Sequence, residues 1–159
     1  MHAGRHTLPE RTRTKLMVAE DILRRKGRDT ITVAPDATLK EAADILSEYD
    51  IGALVVTEGG DRVVGVLSER DIVRSVSEQG GGALQSTIRE VMTDEVLTCT
   101  PEDKVKDLME RVTRRRVRHL PVVEDATVDG MISIGDLLKT RLQEMETEKQ
   151  VLQDRLLDC

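Results

Sequence analysis

Aromatic residues are almost absent from this chain, which has one Tyr and neither Phe nor Trp among its 159 residues. Its core must therefore be built from Leu, Ile, Val, Ala and Met, and a planar ligand would be held by aliphatic side chains and backbone groups instead of aromatic rings. This shortage argues against single-stranded nucleic acid, whose binding sites depend on aromatic stacking. The formal net charge of −6 also opposes binding to a phosphate backbone. We therefore expect no nucleic-acid partner.

Cysteines, histidines and long apolar runs are scarce as well. Cys99 and Cys159 are too few for a disulfide framework or a metal site. The histidines, at His2, His6 and His119, are too scattered for a zinc set. No apolar run approaches the length needed to cross a bilayer, and the basic N-terminus lacks the apolar core of a secretory signal. The sequence predicts no metal and no membrane partner, and the cytoplasm is the expected compartment.

What the chain does contain is an internal repeat. Placing Pro35 over Pro101, an offset of 66 residues, aligns the apolar positions that follow in both halves. After one residue is lost in a turn, the offset becomes 65 and a Gly-apolar-apolar-Ser-x-x-Asp phrase coincides in the two copies. The matched residues of that phrase are Gly65/Gly130, Ser68/Ser133 and Asp71/Asp136.

Each copy predicts the same order of elements, β-α-β-β-α. Apolar residues recur at i, i+3, i+4 and i+7 from Leu39 and again from Val105, which is the buried stripe of an amphipathic helix. Thr38 and Glu41 form a capping-box pattern before the first of these helices, and Asp103 is the expected cap of the second. The predicted strands are 30–33, 53–56 and 63–67 in the first copy and 96–99, 120–123 and 128–132 in the second. The predicted fold class is therefore α/β.

The predicted organisation has five parts. These are an N-terminal segment with a short helix (1–27), a first repeat (28–76), a glycine-rich flexible linker (77–90), a second repeat (91–140) and a C-terminal helix extension (141–159). One long helix is expected from 136 to 157. Its heptad positions, at 138, 145 and 152 and at 142, 149 and 156, are apolar except for Lys149. That helix either lies on its own domain or offers a seam to a partner.

The two units resemble CBS (cystathionine-β-synthase) repeats. The resemblance rests on the phrases TVAPDATLKEAADIL, IGALVVTEGGDRVVGVLSERDIV and RRVRHLPVVEDATVDGMISIGDLL, and it covers roughly residues 28 to 140. It implies a stand-alone repeat pair, called a Bateman module, packed about a pseudo-twofold axis. It further implies clefts that bind AMP, ADP, ATP, NAD or S-adenosylmethionine, and association of two such pairs into a homodimer.

The two Ser-x-x-Asp phrases are the candidate ligand sites. Taken alone, each is a capping box at a strand-to-helix junction. Their equivalent positions in two CBS-like units favour a role for the carboxylates of Asp71 and Asp136 in holding a ribose. A carboxylate offers two acceptor oxygens to the paired 2′ and 3′ hydroxyls, and the start of a helix keeps it ionised. The serine hydroxyls and free N–H groups at the helix start can serve neighbouring oxygens.

The resemblance implies that the first strand of one repeat lines the cleft that holds the aspartate of the other. One predicted site therefore contains Asp136, Ser133, Ile31, Thr32 and Val33, and the other contains Asp71, Ser68, Leu97, Thr98 and Cys99. Arg118 and His119 replace a Gly-Ala pair of the first copy, and a basic residue there commonly meets the nucleotide phosphate in this family. We expect both in the Asp136 cleft, which should bind best. Arg70 either reaches a phosphate in the other cleft or is an exposed arginine at a helix start.

No catalytic set emerges from the remaining residues. Cys99 and His119 lack a third orienting group, and Cys99 occupies an apolar strand position where a buried, inert thiol is expected. The arginines at 114–116 are read as a solvated helix end. The predicted function is a non-catalytic module that binds an adenine nucleotide and signals to an unknown regulated protein by conformational change. The alternative is a CBS-like scaffold for protein association with vestigial clefts.

Overall fold

A computed structural model describes residues 16–157. Its elements in chain order are α1 (Ala19–Lys26), β1 (Thr32–Val33), α2 (Leu39–Tyr49), β2 (Ala53–Glu58), β3 (Arg62–Ser68), α3 (Glu69–Gln79), a 3₁₀ helix (Gly80–Gln85), α4 (Ile88–Val91), α5 (Val105–Arg115), β4 (His119–Glu124), β5 (Thr127–Ser133) and α6 (Ile134–Leu157). The α/β class and the long C-terminal helix are confirmed.

The first repeat forms as its sequence pattern predicts. Thr38 caps α2, because its hydroxyl accepts the Glu41 N–H at 3.2 Å while the Glu41 carboxylate accepts the Thr38 N–H at 3.0 Å. The stripe of Leu39, Ala42 and Leu46 is buried against β2, β3 and α3. The spacing of apolar residues therefore fixes which face of α2 meets the sheet.

Helix α5 begins differently from α2, and the predicted Asp103 cap is wrong. The residue before the helix is Lys104, and no side chain caps it. The Asp103 carboxylate instead accepts the Thr100 N–H at 2.9 Å, within the preceding turn. The Val105 N–H donates to the Met17 carbonyl oxygen at 2.9 Å, so the N-terminal segment supplies the acceptor that a cap would have supplied.

The strands form one sheet in the order β1-β2-β3-β5-β4. Each repeat contributes an antiparallel hairpin with one register shift, β2–β3 and β4–β5. The hairpins meet where Arg62 pairs with Thr127. The first strand of each repeat is shorter than predicted: β1 has only two residues, parallel to β2, and its counterpart is a single bridge between Cys99 and Val122.

The segment that precedes each repeat packs on the other repeat, which produces a pseudo-twofold arrangement. The Ile88 N–H donates to the Ala37 carbonyl at 2.8 Å, and the Ala19 N–H donates to the Asp103 carbonyl at 2.9 Å. The segment before the second repeat thus docks on the first, and the segment before the first docks on the second. Consistent with this packing, α1 contacts β5 and α6, and the core of the second repeat includes Ile22.

Gly65 and Gly130 are equivalent glycines of the two repeats. Each lies where a segment that precedes one repeat packs against a strand of the other. A Cβ atom at Gly65 would lie 2.5 Å from the Met92 sulfur, and one at Gly130 would lie 2.5 Å from a Leu23 methyl carbon. Because a side chain at either position would overlap a packed neighbour, glycine allows the close approach.

The segment predicted as a flexible linker is folded, so that prediction is wrong. Helix α3 continues to Gln79, and the three glycines that follow begin the 3₁₀ helix Gly80–Gln85. Ala83 is fully buried in this helix, which packs against α2 and α3. The Ser86 carbonyl then accepts the Leu39 N–H at 3.0 Å. Burial of one methyl group and one backbone bond to α2 anchor the glycine-rich stretch.

Helices α1 and α6 lie against each other. The Asp21 carboxylate accepts the Val18 N–H at 2.9 Å at the start of α1, and Gly27 ends the helix with φ 98°. The Arg25 guanidinium donates to the Thr140 hydroxyl at 3.0 Å and to the Gln143 side chain at 2.8 Å. These bonds tie the N-terminal helix to the C-terminal one.

Helix α6 buries one face and exposes another. The buried residues are Leu137, Thr140 and Glu144. The exposed apolar residues are Ile134, Leu138, Leu142, Met145, Leu152, Leu156 and Leu157. The heptad positions identified in the sequence therefore face away from the protein's own core, which favours the partner seam over a helix that buries this stripe on its own domain.

Candidate functional site

Both Ser-x-x-Asp phrases form capping boxes at strand-to-helix junctions. The Asp71 carboxylate accepts the Ser68 N–H at 2.9 Å, and the Ser68 hydroxyl accepts the Asp71 N–H at 3.3 Å. At the second junction, the corresponding distances between Ser133 and Asp136 are 2.9 and 3.1 Å. The local interpretation of the phrase is therefore confirmed. The cap also fixes each carboxylate at the start of a helix, close to free backbone N–H groups.

Asp71 lines a cleft of about 300 Å³ between the repeats. The first repeat contributes the start of α3, and the second contributes the turn between α5 and β4. The remaining lining residues are Gly52, Val66, Ser68, Glu69, Arg70, Arg74, Thr93, Glu95, Val96, Leu97, Arg116, Val117, Arg118 and His119. Aliphatic side chains, strand backbone and charged groups thus converge on one concave site, as in a small-molecule site.

Four arginines and three acidic residues, Glu69, Asp71 and Glu95, line the cleft, which leaves one guanidinium in excess. Arg74 lies 3.9 Å from the Asp71 carboxylate, the longest of the ion pairs in the described part of the chain. Within residues 16–157, the guanidiniums of Arg70, Arg116 and Arg118 make no ion pair or side-chain hydrogen bond. Such planar, permanently charged donors suit phosphate oxygens. The arrangement can therefore hold a diol at one end and an anion at the other.

His119 lies where the two clefts meet and lines both. Its Nε2 would be 3.5 Å from a Cβ atom at Gly52, an ordinary van der Waals distance, so the imidazole packs directly beside the backbone of Gly52. Burial lowers the pKa of His119, and the nearby Glu69 carboxylate opposes that effect. The imidazole is therefore neutral at neutral pH and offers one donor and one acceptor.

The cleft next to Asp136, called the Asp136 cleft below, has a similar volume, about 290 Å³; Ser133 and Lys26 line it, but Asp136 itself does not. The Lys26 ammonium donates to the Asp136 carboxylate at 2.7 Å and to the Met131 carbonyl at 2.9 Å. Burial raises the pKa of Asp136, but hydrogen bonds from Lys26 and Ser133 outweigh it, and the net shift is downward. This carboxylate is thus ionised and already paired within the chain.

The structure separates the predicted strand residues into two groups. Ile31 lines the Asp136 cleft together with Ser133 of the other repeat, and Leu97 lines the Asp71 cleft together with Asp71 of the other repeat. The other four strand residues named from the sequence, Thr32, Val33, Thr98 and Cys99, do not line these clefts. Val33 and Cys99 are instead buried in the cores of the two repeats. Burial raises the pKa of the Cys99 thiol to about 12, which makes it a poor nucleophile.

The predicted grouping of the basic residues requires correction. Arg118 was expected beside Asp136, but it lines the Asp71 cleft, and His119 reaches both clefts. The pseudo-twofold packing causes this, because it turns the start of β4 toward the start of α3. Arg70, left open between a phosphate contact and an exposed residue, lines the Asp71 cleft.

Sequence reasoning missed three basic residues of the clefts, and the acidic residues Asp29, Glu69 and Glu95 as well. Arg74 lies three residues after Asp71 on one helix, a spacing that places two side chains on the same face and that the sequence displays. Arg116 adopts a left-handed conformation, φ 53° and ψ 38°, at the end of α5, and no simple pattern announces it. Lys26 reaches Asp136 only because the segment that precedes the first repeat packs on the second.

A family model for the CBS domain matches residues 19–78 and 88–142. The chain belongs to the CBS-domain family and is a pair of such domains. It is 33% identical over 140 residues to the mitochondrial CBS domain-containing protein CBSX3 of Arabidopsis thaliana, a match that covers 83% of this chain and 68% of that protein.

Solved structures agree with this assignment. The chain is similar to the CBS-domain protein ATU1752 of Agrobacterium tumefaciens, with a TM-score of 0.74, 44% identity and coverage of 78% of this chain and 92% of that one. It is also similar to the CBS domain pair of protein MJ0100, solved in complex with 5′-methylthioadenosine and S-adenosyl-L-methionine. That match has a TM-score of 0.71, 25% identity and coverage of 79% and 95%.

Residues 16–157 contain neither a membrane-spanning helix nor a cluster of metal ligands. No helix there has the length and apolar character needed to cross a bilayer. No group of three or more His, Cys, Asp or Glu residues in that range is arranged to hold a metal ion.

Proposed function

We propose that this chain is a non-catalytic regulatory module that binds an adenosine-containing nucleotide, AMP, ADP, ATP or NAD, in the Asp71 cleft. One observation supports this choice above all. A capped carboxylate and three guanidiniums that make no ion pair within residues 16–157 line the same inter-repeat cavity of about 300 Å³. The Asp136 cleft, preferred on sequence grounds, is the weaker candidate because Lys26 already pairs with its carboxylate.

In this proposal, each part of the ligand meets a different set of lining residues. The Asp71 carboxylate accepts hydrogen bonds from the ribose 2′ and 3′ hydroxyls. Arg70, Arg116 and Arg118 meet the phosphates. The remaining lining residues with aliphatic side chains, Val66, Val96, Leu97 and Val117, enclose the adenine. The excess of positive charge favours anionic nucleotides over S-adenosylmethionine, whose sulfonium is cationic.

Signalling follows from the way that the cleft is built. The start of α3 belongs to the first repeat, and the segment that ends in Arg118 and His119 belongs to the second. A ligand that bridges the two therefore stabilises one relative setting of the repeats, provided that it binds this setting more tightly than others. The module performs no chemistry on the ligand in this proposal, and the regulated protein is a separate molecule. The cytoplasmic location remains a prediction.

Asp71→Asn tests the site, because the amide keeps an oxygen that can accept the cap but removes the charge. Isothermal titration with ADP should show a 10- to 100-fold loss of affinity, which corresponds to the roughly 1.5–3 kcal/mol of hydrogen bonds to a charged group. Asp136→Asn is the matched control, since it changes the equivalent residue of the other repeat. Equal affinity of wild type and Asp71→Asn would contradict the proposal.

We also propose that a second copy of the chain packs on the exposed stripe of α6. The stripe has alternating spacings of four and three residues from Leu138 to Leu156, which is the self-complementary pattern of a helix pair. Five of its six members are apolar and half-exposed or more in the single chain, and the sixth is Lys149. This observation favours association, and if the clefts bound no nucleotide, association alone would be the scaffold function.

A further inference from the structure

The two aspartates of the repeat differ in their partners. At Asp136, the Lys26 ammonium donates both to the carboxylate, at 2.7 Å, and to the carbonyl of Met131, at 2.9 Å. Val66 is the counterpart of Met131 in the first repeat, and its carbonyl accepts the backbone N–H of Thr93 at 3.0 Å. No lysine is among the described residues that line the Asp71 cleft.

The difference arises from the lengths of two equivalent helices. Helix α4 has four residues, and the chain then turns extended at Met92, with ψ 155°, so that Thr93 can pair with β3. Helix α1 starts at the equivalent point but has eight residues. Its additional turn occupies the place of that extended strand and projects Lys26 over the Asp136 carboxylate.

We propose that Lys26 determines the specificity of the two clefts by closing the Asp136 cleft to a ribose, so that each chain binds one nucleotide, at Asp71. This inference rests on the proposed function of the Asp71 cleft. Because a ribose offers only neutral hydroxyls, it would have to replace a charge-assisted hydrogen bond at Asp136. The pair is partly exposed, with 38% and 26% of the two side chains accessible. Lys26 therefore occupies the position beside Asp136 that a ribose would need. Because its side chain is partly exposed, it can be substituted without leaving a cavity in the core.

The fold should tolerate that substitution. Arg25, the neighbouring residue of α1, keeps its bonds to Thr140 and Gln143 on α6. Lys40 provides a matched control, because it also pairs with a carboxylate, that of Asp44 at 2.5 Å, and lines neither cleft.

The test is the number of ADP molecules bound per chain, measured by isothermal titration and equilibrium dialysis on the full chain. Wild type, Lys26→Arg and Lys40→Met should each bind one. Lys26→Met and Lys26→Gln should each bind two, and adding Asp136→Asn to either should return the number to one. Thermal unfolding verifies that every variant is folded. Two neutral variants are included so that the test still gives an answer if one of them does not fold.

The outcomes separate this inference from the proposed function. Two ADP molecules on the wild type, or one on both neutral Lys26 variants, would overturn the role of Lys26. No ADP on the wild type but one on Lys26→Met would support the role of Lys26 while contradicting the assignment of the Asp71 cleft. Loss of binding in Lys26→Met would show that the ammonium is itself a ligand of the nucleotide phosphate, and would also overturn the inference.

Discussion

The Glu144 carboxylate lies 3.2 Å from the Arg141 guanidinium on α6, and its side chain is only 1% exposed. One of its oxygens, Oε1, has no hydrogen-bond partner in the described part of the chain. The nearby backbone of Met17 lowers the pKa of this carboxyl and so partly opposes the effect of burial. A single buried charge thus joins the C-terminal helix to the segment that completes the second repeat, and it is incompletely compensated.

The stability of the protein should therefore fall as pH rises through the titration of Glu144. Burial raises the pKa of this carboxyl above its ordinary 4.5, and the nearby Arg141 only partly opposes the shift. Since the folded state holds the proton more tightly than the unfolded chain, the folded state binds more protons between the ordinary and the raised pKa. The stabilisation is complete below the ordinary pKa and is lost as pH rises through the raised one.

Glu144→Gln should remove that pH dependence. The midpoint of urea unfolding, measured between pH 4 and pH 8, should fall less steeply with rising pH than in the wild type, and at pH 7 the variant should be at least as stable. Glu148→Gln is the control, because Glu148 also pairs with Arg141, at 3.5 Å, but is 39% exposed. A variant that is much less stable at pH 7 would show that the ion pair outweighs the cost of burial.

Gly130→Ala should destabilise the second repeat by about 1–3 kcal/mol, the usual cost of overfilling a packed core. The new Cβ atom would lie 2.5 Å from a methyl carbon of Leu23, which is 1% exposed and has little room to move. Gly81→Ala is the matched control, because nothing lies within 4 Å of a Cβ atom there and its φ is not positive. Chemical denaturation compares the variants. Equal stability of Gly130→Ala and wild type would mean that α1 shifts freely on β5.

Much of the fold follows from the sequence because repeated patterns encode it locally. The stripe from Leu39 and the Thr38–Glu41 capping box specify α2 without any distant contact. The start of α5 does not follow in this way, since its acceptor is Met17, far away in the chain. The 3₁₀ helix at Gly80–Gln85 likewise depends on burial of Ala83 against helices α2 and α3. Long-range contacts override local propensity at these points.

The candidate site, like the fold, can be predicted from the sequence only where its features are local. Asp71 and Asp136 could be identified from the sequence because a capping box is a local motif that occurs twice. Which basic residues accompany each aspartate depends on how the repeats face each other, and that is a property of the packed pair. For this reason Arg118 lies in the Asp71 cleft and not in the predicted one. The contact between Lys26 and Asp136 likewise depends on the packing of α1 against α6.

Arg118→Gln should weaken ATP binding about tenfold and leave adenosine binding unchanged. Arg118 lines the Asp71 cleft and makes no ion pair within residues 16–157, so its charge is available to a phosphate. Each such contact also adds to the salt dependence of binding, so the loss of affinity with added KCl should become less steep. Arg115→Gln is the control, since Arg115 is exposed and does not line the cleft. An equal loss of affinity for ATP and for adenosine would indicate that the substitution changes the shape of the cleft and not only its charge.

Leu142→Glu should prevent or weaken self-association. Leu142 is 57% exposed, near the middle of the stripe on α6, where a charge would be buried against a second copy without a partner. Sedimentation equilibrium should show the wild type as a dimer and the variant shifted toward monomer by at least tenfold in dissociation constant. Leu157→Glu introduces the same charge on the same helix at an 83% exposed residue outside the heptad positions, and it should remain dimeric. If both variants dimerise as the wild type does, the second copy does not pack on this stripe.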